Sequence, residues 1–142
     1  MASEENSFRP IDERTDAREQ AVMFLYEAEQ RSISPLLLLE ERVVASEELS
    51  TALINGVEKI RQLIDEHIVA HAKGWALERM PALDRAILRL GIYELMERDD
   101  VPVAVVIDEA VELAKRFSTD DSGKFVNGVL AAVAKKVRPA AS

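Results

Sequence analysis

Cysteine is absent from this 142-residue chain. Disulfides, cysteine-ligated zinc and thiol nucleophiles are therefore excluded, and the composition fits a reducing compartment. Glycine and proline are scarce, five of each, so few positions break regular structure. No apolar run approaches the ~20 residues that span a bilayer. The opening Met1-Ala-Ser-Glu-Glu-Asn6 is acidic and polar, unlike a secretory signal. The expectation is a soluble, cytoplasmic protein with no membrane association. Period-2 alternation bounded by turns is also missing, so no sheet is expected. There is no Gly-rich phosphate loop and no defensible Ser-His-Asp arrangement, which argues against an enzyme and against a bound cofactor.

Positive charge is in short supply. Eighteen Lys and Arg face 26 Asp and Glu, a net charge of −8. A nucleic-acid-binding domain usually has a pI above about 9, so the sum opposes that function. The distribution is more favourable. Residues 122–142 carry Lys124, Lys135, Lys136 and Arg138 without an acid, and Arg79, Arg85, Arg89 and Arg98 form a second concentration. These cations are either a solvated face or phosphate contacts.

What the chain has is apolar residues, 48% of the total, at helical spacing. Asp16-Ala-Arg-Glu19 has capping-box spacing, and Ala17, Ala21, Phe24, Leu25 and Ala28 follow on one face. Ser34-Pro35 opens a short second helix. A stripe of Leu49, Leu53, Val57, Ile60, Ile64 and Ile68 predicts one long third helix ending at Lys73-Gly74. A further turn is expected near Trp75. Residues from Pro81 to Arg98 are apolar nearly all round, which marks a central helix. Pro102 opens the next, and Asp121 or Ser122 the last. The predicted helices are 16–31, 35–44, 47–70, 82–97, 102–117 and 121–137. An acidic arm over 1–15, one helical domain over 16–138 and a tail over 139–142 complete the organisation. Gly56, Gly91 and Gly128 interrupt helical patterns, each at about 1 kcal/mol relative to alanine. Close helix crossings are the expected return.

Candidate chemistry is sparse. His67 and His71 are an i, i+4 pair, but no Glu follows His67 and no third ligand is evident, so no metal is expected. Asp99-Asp100 and Asp120-Asp121 precede helices and read first as caps. Phe24, Phe117 and Phe125 read as core. Tyr26 and Tyr93 read as surface, where a hydroxyl keeps a wet partner.

Four blocks carry a resemblance. They are Ala17-Arg18-Glu-Gln-Ala21-Val-Met-Phe-Leu25-Tyr26, and Asp84-Arg85-Ala-Ile-Leu-Arg89-Leu-Gly-Ile-Tyr93-Glu94-Leu95. Val101-Pro102 with Ile107-Asp-Glu109-Ala-Val-Glu112-Leu-Ala-Lys115 follows, then Asp121-Ser122-Gly-Lys124-Phe125-Val-Asn127-Gly128-Val-Leu130. In order and spacing they resemble the NusB family of bacterial transcription antitermination factors. The stretch from Leu36 to Ile68 matches only in helix pattern.

The resemblance implies an all-α, NusB-like compact bundle of about seven helices in two subdomains. It implies a non-enzymatic factor acting with the transcription elongation complex on ribosomal RNA operons. Its partners would be ribosomal protein NusE and boxA-like single-stranded RNA. The resemblance assigns Tyr26, Asp84 and Asp121 to contact with NusE, with Phe125 supporting that edge; the alternative is that Asp84 and Asp121 only cap helices. The family's first helix usually follows an arginine-rich stretch that grips RNA. Here that stretch retains only Arg14 and Arg18, beside Glu13 and Asp16. Arg14, Arg18 and Lys124 are the remaining candidates for phosphate contacts, and Tyr26 for base stacking. An alternative function is a helical protein-interaction module, or a homodimer, with weakened RNA binding.

Overall fold

The computed structural model describes residues 13–42 and 48–140. The expected acidic arm falls mostly outside them, at residues 1–12. Seven α-helices occupy the described residues: α1 (Glu13–Gln30), α2 (Pro35–Glu41), α3 (Glu48–Lys59), α4 (Arg61–His71), α5 (Ala82–Glu97), α6 (Val103–Phe117) and α7 (Asp120–Val137). A 3-10 turn, Leu77–Arg79, lies between α4 and α5. No strand occurs among the described residues, as the missing alternation predicts.

Helix ends follow local chemistry in places and tertiary demands in others. Ser34 caps α2, its Oγ accepting from the Leu36 N–H at 3.2 Å, with Pro35 in the first turn. Thr119, not an aspartate, caps α7: its Oγ1 accepts from the Ser122 N–H at 3.0 Å. Asp120 and Asp121 sit inside the first turn, where carboxylates suit the positive helix end. Asp16 does not start α1 either. The helix is already formed at Glu13, so the capping-box spacing is incidental, and residues 13–15 belong to the bundle rather than to an arm.

The stripe from Leu49 to Ile68 is not one helix. Ile60 takes a non-helical backbone, φ −118° and ψ 23°, and separates α3 from α4. No proline or glycine marks the break. Its reason is tertiary: both helices pack on α5, but α3 packs also on α1 and α2, whereas α4 packs also on α7. The stripe serves two different sets of neighbours, so the chain must turn between them. Gly74, at φ 82°, carries the chain out of α4 in a conformation that glycine adopts without strain.

α5 is central. It touches α1, α3, α4, α6 and α7, and buries Ala86, Ile87, Leu88, Leu90, Gly91, Ile92 and Leu95. Gly91 lies at a close crossing, because a Cβ there would stand 3.0 Å from Leu130 Cδ1 on α7. Gly56 is closer still, with the Tyr93 ring occupying the space a Cβ would need. Tyr93 is thus packed against the core, not held at the surface. Gly128 corrects the expectation for the third glycine: it is exposed and faces open space. Phe117 departs from the core reading as well; it is exposed, with the Arg116 guanidinium 4.7 Å from its ring centre.

Candidate nucleic-acid and partner interface

α1 and α5 run antiparallel, as two ion clusters record. Near the start of α1, Arg18 donates from Nε and Nη2 to the Glu94 carboxylate at 2.7 and 2.9 Å. Its Nη1 reaches Glu109 on α6 at 3.3 Å, and Thr15 donates to the same Glu109 oxygen at 2.8 Å. Near the end of α1, Glu29 pairs with Arg85 and Arg89 at the other end of α5. Arg89 also grips Asp65 of α4, at 2.8 and 3.1 Å. These arginines hold the Glu29 carboxyl below its ordinary pKa: the Arg85 hydrogen bond is the largest cause, and partial burial opposes it.

Arg18 is therefore not a surface cation. Only 6% of it is exposed, and its guanidinium is engaged by two carboxylates. A phosphate would have to displace a buried bidentate pair, which is strongly unfavourable. This corrects its assignment as a phosphate contact. Arg138 is likewise removed from the solvated cations. It donates to the Leu95, Glu94, Arg98 and Val101 carbonyls, at 2.8, 2.9, 2.6 and 2.5 Å, closing the end of α5.

Asp84 is the second residue moved from surface to interior. It is 2% exposed, and its Oδ2 accepts from Ser122 Oγ at 3.0 Å. Its Oδ1 is buried without a hydrogen-bond partner. Burial pushes the carboxyl's pKa up, against the opposing hydrogen bonds from Ser122 and Ser118. Asp84 does not cap α5 with its side chain and presents no carboxylate outward. It ties the first turn of α5 to the first turn of α7.

Around that junction lie the remaining partner candidates. Asp121 precedes Ser122 and is exposed, as is Lys124. Phe125 is partly buried, and the ring of Trp75 covers it at 5.3 Å between centroids, tilted by 37°. Trp75 itself is 47% exposed. Tyr26 is exposed on α1, one turn before Glu29, and the Glu29–Arg85 pair brings that part of α1 to the same end of α5. Tyr26, Asp121, Lys124 and Phe125 thus share one end of the bundle. Arg14 does not join them. It lies beyond Arg18, near the other end of α5, which is about 20 Å away at 1.5 Å per residue. Asp120 and Asp121 also supply negative charge at the α7 terminus that the sequence left open to a phosphate.

His67 and His71 stack at 6.4 Å, and His71 Nδ1 lies 3.0 Å from the His67 carbonyl of its own helix. Desolvation first, then the neighbouring His71, lowers the His67 pKa; Lys136 adds to this and Glu66 opposes it. Among the described residues, no cluster of three ligating side chains is present.

The residues that sequence reasoning missed are Glu94, Glu109, Ser122 and Trp75. A signal existed for two of them. Glu94 lies between buried Ile92 and Leu95 on a helix that is apolar nearly all round, and Glu109 falls on the Val106–Leu113 stripe. A carboxylate on a buried face needs a buried cation.

The fold and these clusters define an all-α bundle, seven helices among the described residues with α5 at the centre, and with its polar residues split between a sealed interior set and an exposed end. The chain belongs to the NusB family, whose model matches residues 15–135. It is 55% identical over 127 residues to the transcription antitermination protein NusB of Saccharopolyspora erythraea, covering 85% of this chain and 86% of that one. Among solved structures it is similar to T. maritima NusB, with a TM-score of 0.80, 34% identity, and 92% and 96% of the two chains covered. It is also similar to NusB in the structure of antitermination factors NusB and NusE in complex with dsRNA. There the TM-score is 0.74 and the identity 29%, with 87% and 96% covered.

Proposed function

We propose that this protein is a transcription antitermination factor that binds boxA-type single-stranded RNA together with ribosomal protein NusE, during transcription of rRNA operons. One observation carries the reading that NusE and RNA are its partners: a relative sharing this fold over 87% of the chain is solved with NusE and double-stranded RNA. The exposed end of the bundle supports it. Tyr26, Asp121 and the Trp75–Phe125 pair offer an aromatic surface with a carboxylate, which suits a basic ribosomal protein. Asp84 acts behind that surface, holding Ser122 and so the start of α7. Arg14 and Lys124 are the phosphate contacts, and Tyr26 is the stacking residue. The assembled pair then joins the elongation complex, in the cytoplasm.

The test is a titration of boxA-like RNA, and of an unrelated strand of equal length, at two salt concentrations with and without NusE. Weak binding alone and preferential, cooperative binding with NusE are expected. No preference in the presence of NusE would overturn the reading. The second reading, an interaction module or homodimer with weakened RNA binding, is favoured by the loss of Arg18 to the interior and the net charge of −8. NusE binding without RNA binding is its expected result.

A further inference from the structure

The buried Arg18–Glu94 pair organises what lies outside it. On α1, Arg14 is four residues before Arg18; Arg98 is the residue at which the chain leaves α5, four residues after Glu94. Side chains four apart share a helix face. Because α1 and α5 are antiparallel, both steps lead outward at the same end of the bundle. The structure bears this out: Arg14, Arg18, Glu94 and Arg98 line one crevice, walled by Leu49 and Leu53 of α3.

Two of these four are spoken for, and two are not. Arg18 and Glu94 satisfy each other. Arg14 is exposed and makes no ion pair with a described residue. Arg98 has a single ion pair, with the exposed Asp100 at 3.8 Å, a long surface contact of little strength. An arginine at a helix end ordinarily turns to the last carbonyls. Here Arg138 already occupies the carbonyls of Glu94, Leu95 and Arg98 itself. Arg98 thus lines the crevice with those carbonyls already taken and only the long Asp100 contact of its own.

We propose that Arg98, together with Arg14, forms a phosphodiester-binding point for single-stranded RNA at the mouth of this crevice. The proposal rests on the RNA-binding reading above and adds to it a residue 84 positions from Arg14 in sequence. It also replaces Arg18, whose part is to set the position of Arg14 against α5. A guanidinium fork is suited to phosphate oxygens, and two forks converging on one crevice bind a bridging anion better than either alone.

The experiment uses the full-length protein with NusE and a boxA-like oligonucleotide. It follows the dependence of log K on log salt for wild type, Arg98→Ala, Arg98→Lys, Arg14→Ala and, as a control, the exposed Arg79→Ala. Each lost contact to a single strand lowers the slope by about 0.7. Arg98→Ala and Arg14→Ala are expected to show that loss with unchanged melting temperatures. Arg98→Lys should keep the wild-type slope, and Arg79→Ala should match wild type in everything. If wild type binds RNA and Arg98→Ala keeps its full slope, the Arg98 assignment is wrong while the RNA-binding reading stands. If wild type with NusE binds no RNA, both are wrong. Inorganic phosphate is added at constant ionic strength in a parallel arm. Should phosphate at millimolar concentration raise the melting temperature of wild type and not of Arg98→Ala while leaving RNA binding unchanged, the crevice is a free-anion site and the RNA assignment is overturned.

Discussion

Arg18 and Glu94, 76 residues apart, form a two-pronged ion pair with almost no access to water, at 2.7 and 2.9 Å. Burying two charges is expensive, and breaking such a pair leaves one of them uncompensated. Arg18→Ala should therefore destabilise the fold by about 3–5 kcal/mol. Replacing Arg18, Glu94 and Glu109 together with apolar residues of similar size should cost less than Arg18→Ala alone, which leaves both buried carboxylates without their cation. Urea unfolding measures this; a single variant that unfolds with the wild-type midpoint would refute the buried-pair account. The same logic makes Arg18→Ala a stability variant first and an RNA variant second.

The glycines of α5 and α7 should respond in opposite directions. Gly91→Leu must push into Leu130, an overpacking that costs typically 1–3 kcal/mol or more. Gly128→Ala meets open space on an exposed helix face, so it should stabilise by about 0.5–1 kcal/mol through helix propensity alone. Thermal melts of the two variants decide the matter, and equal signs would contradict the packing described.

Asp84 and Glu29 should give stability opposite pH dependences. The Asp84 pKa is raised on folding by burial, so the folded state holds its proton more tightly than the unfolded chain does. Its contribution is most favourable below the ordinary carboxylate pKa and is lost as pH rises through the raised value. Glu29 is lowered, chiefly by the Arg85 hydrogen bond. Its contribution is present above the ordinary pKa and is lost as pH falls through the lowered one. The stability of Asp84→Asn relative to wild type should thus increase with pH in the acidic range. That of Glu29→Gln should decrease. Denaturation midpoints across that range, compared variant by variant, provide the check; a pH-independent difference for Asp84→Asn would rule out its buried ionisation.

At the exposed end, Asp121→Lys and Asp84→Lys should separate surface from interior. Asp121→Lys should slow NusE association, more at low salt than at high, with only a small change in stability. Asp84→Lys forces a cation into a buried site and should destabilise the fold by several kcal/mol. Stopped-flow association at two salt concentrations, alongside melting curves, distinguishes the two. Association kinetics of Asp121→Lys identical to wild type would remove Asp121 from the interface.

The positions of the helices were legible because burial on a helix repeats every three or four residues, and local order carries that signal. The stripe on α1, the all-round apolar α5, and Ser34-Pro35 at the start of α2 needed nothing beyond their own neighbours in sequence. The NusB blocks were legible for the same reason, as short runs of residues. Periodicity, however, says that a face is buried and not what it meets. The turn at Ile60 lies on an unbroken stripe, and only the different partners of α3 and α4 require it. Gly91 and Gly128 look alike in sequence, yet one faces Leu130 and the other faces water. Arg18 and Asp84 read as surface residues because charge usually is; Glu94 and Ser122, far along the chain, draw them inside. Pairing of that kind depends on the angle at which helices cross, and the tertiary structure alone decides it.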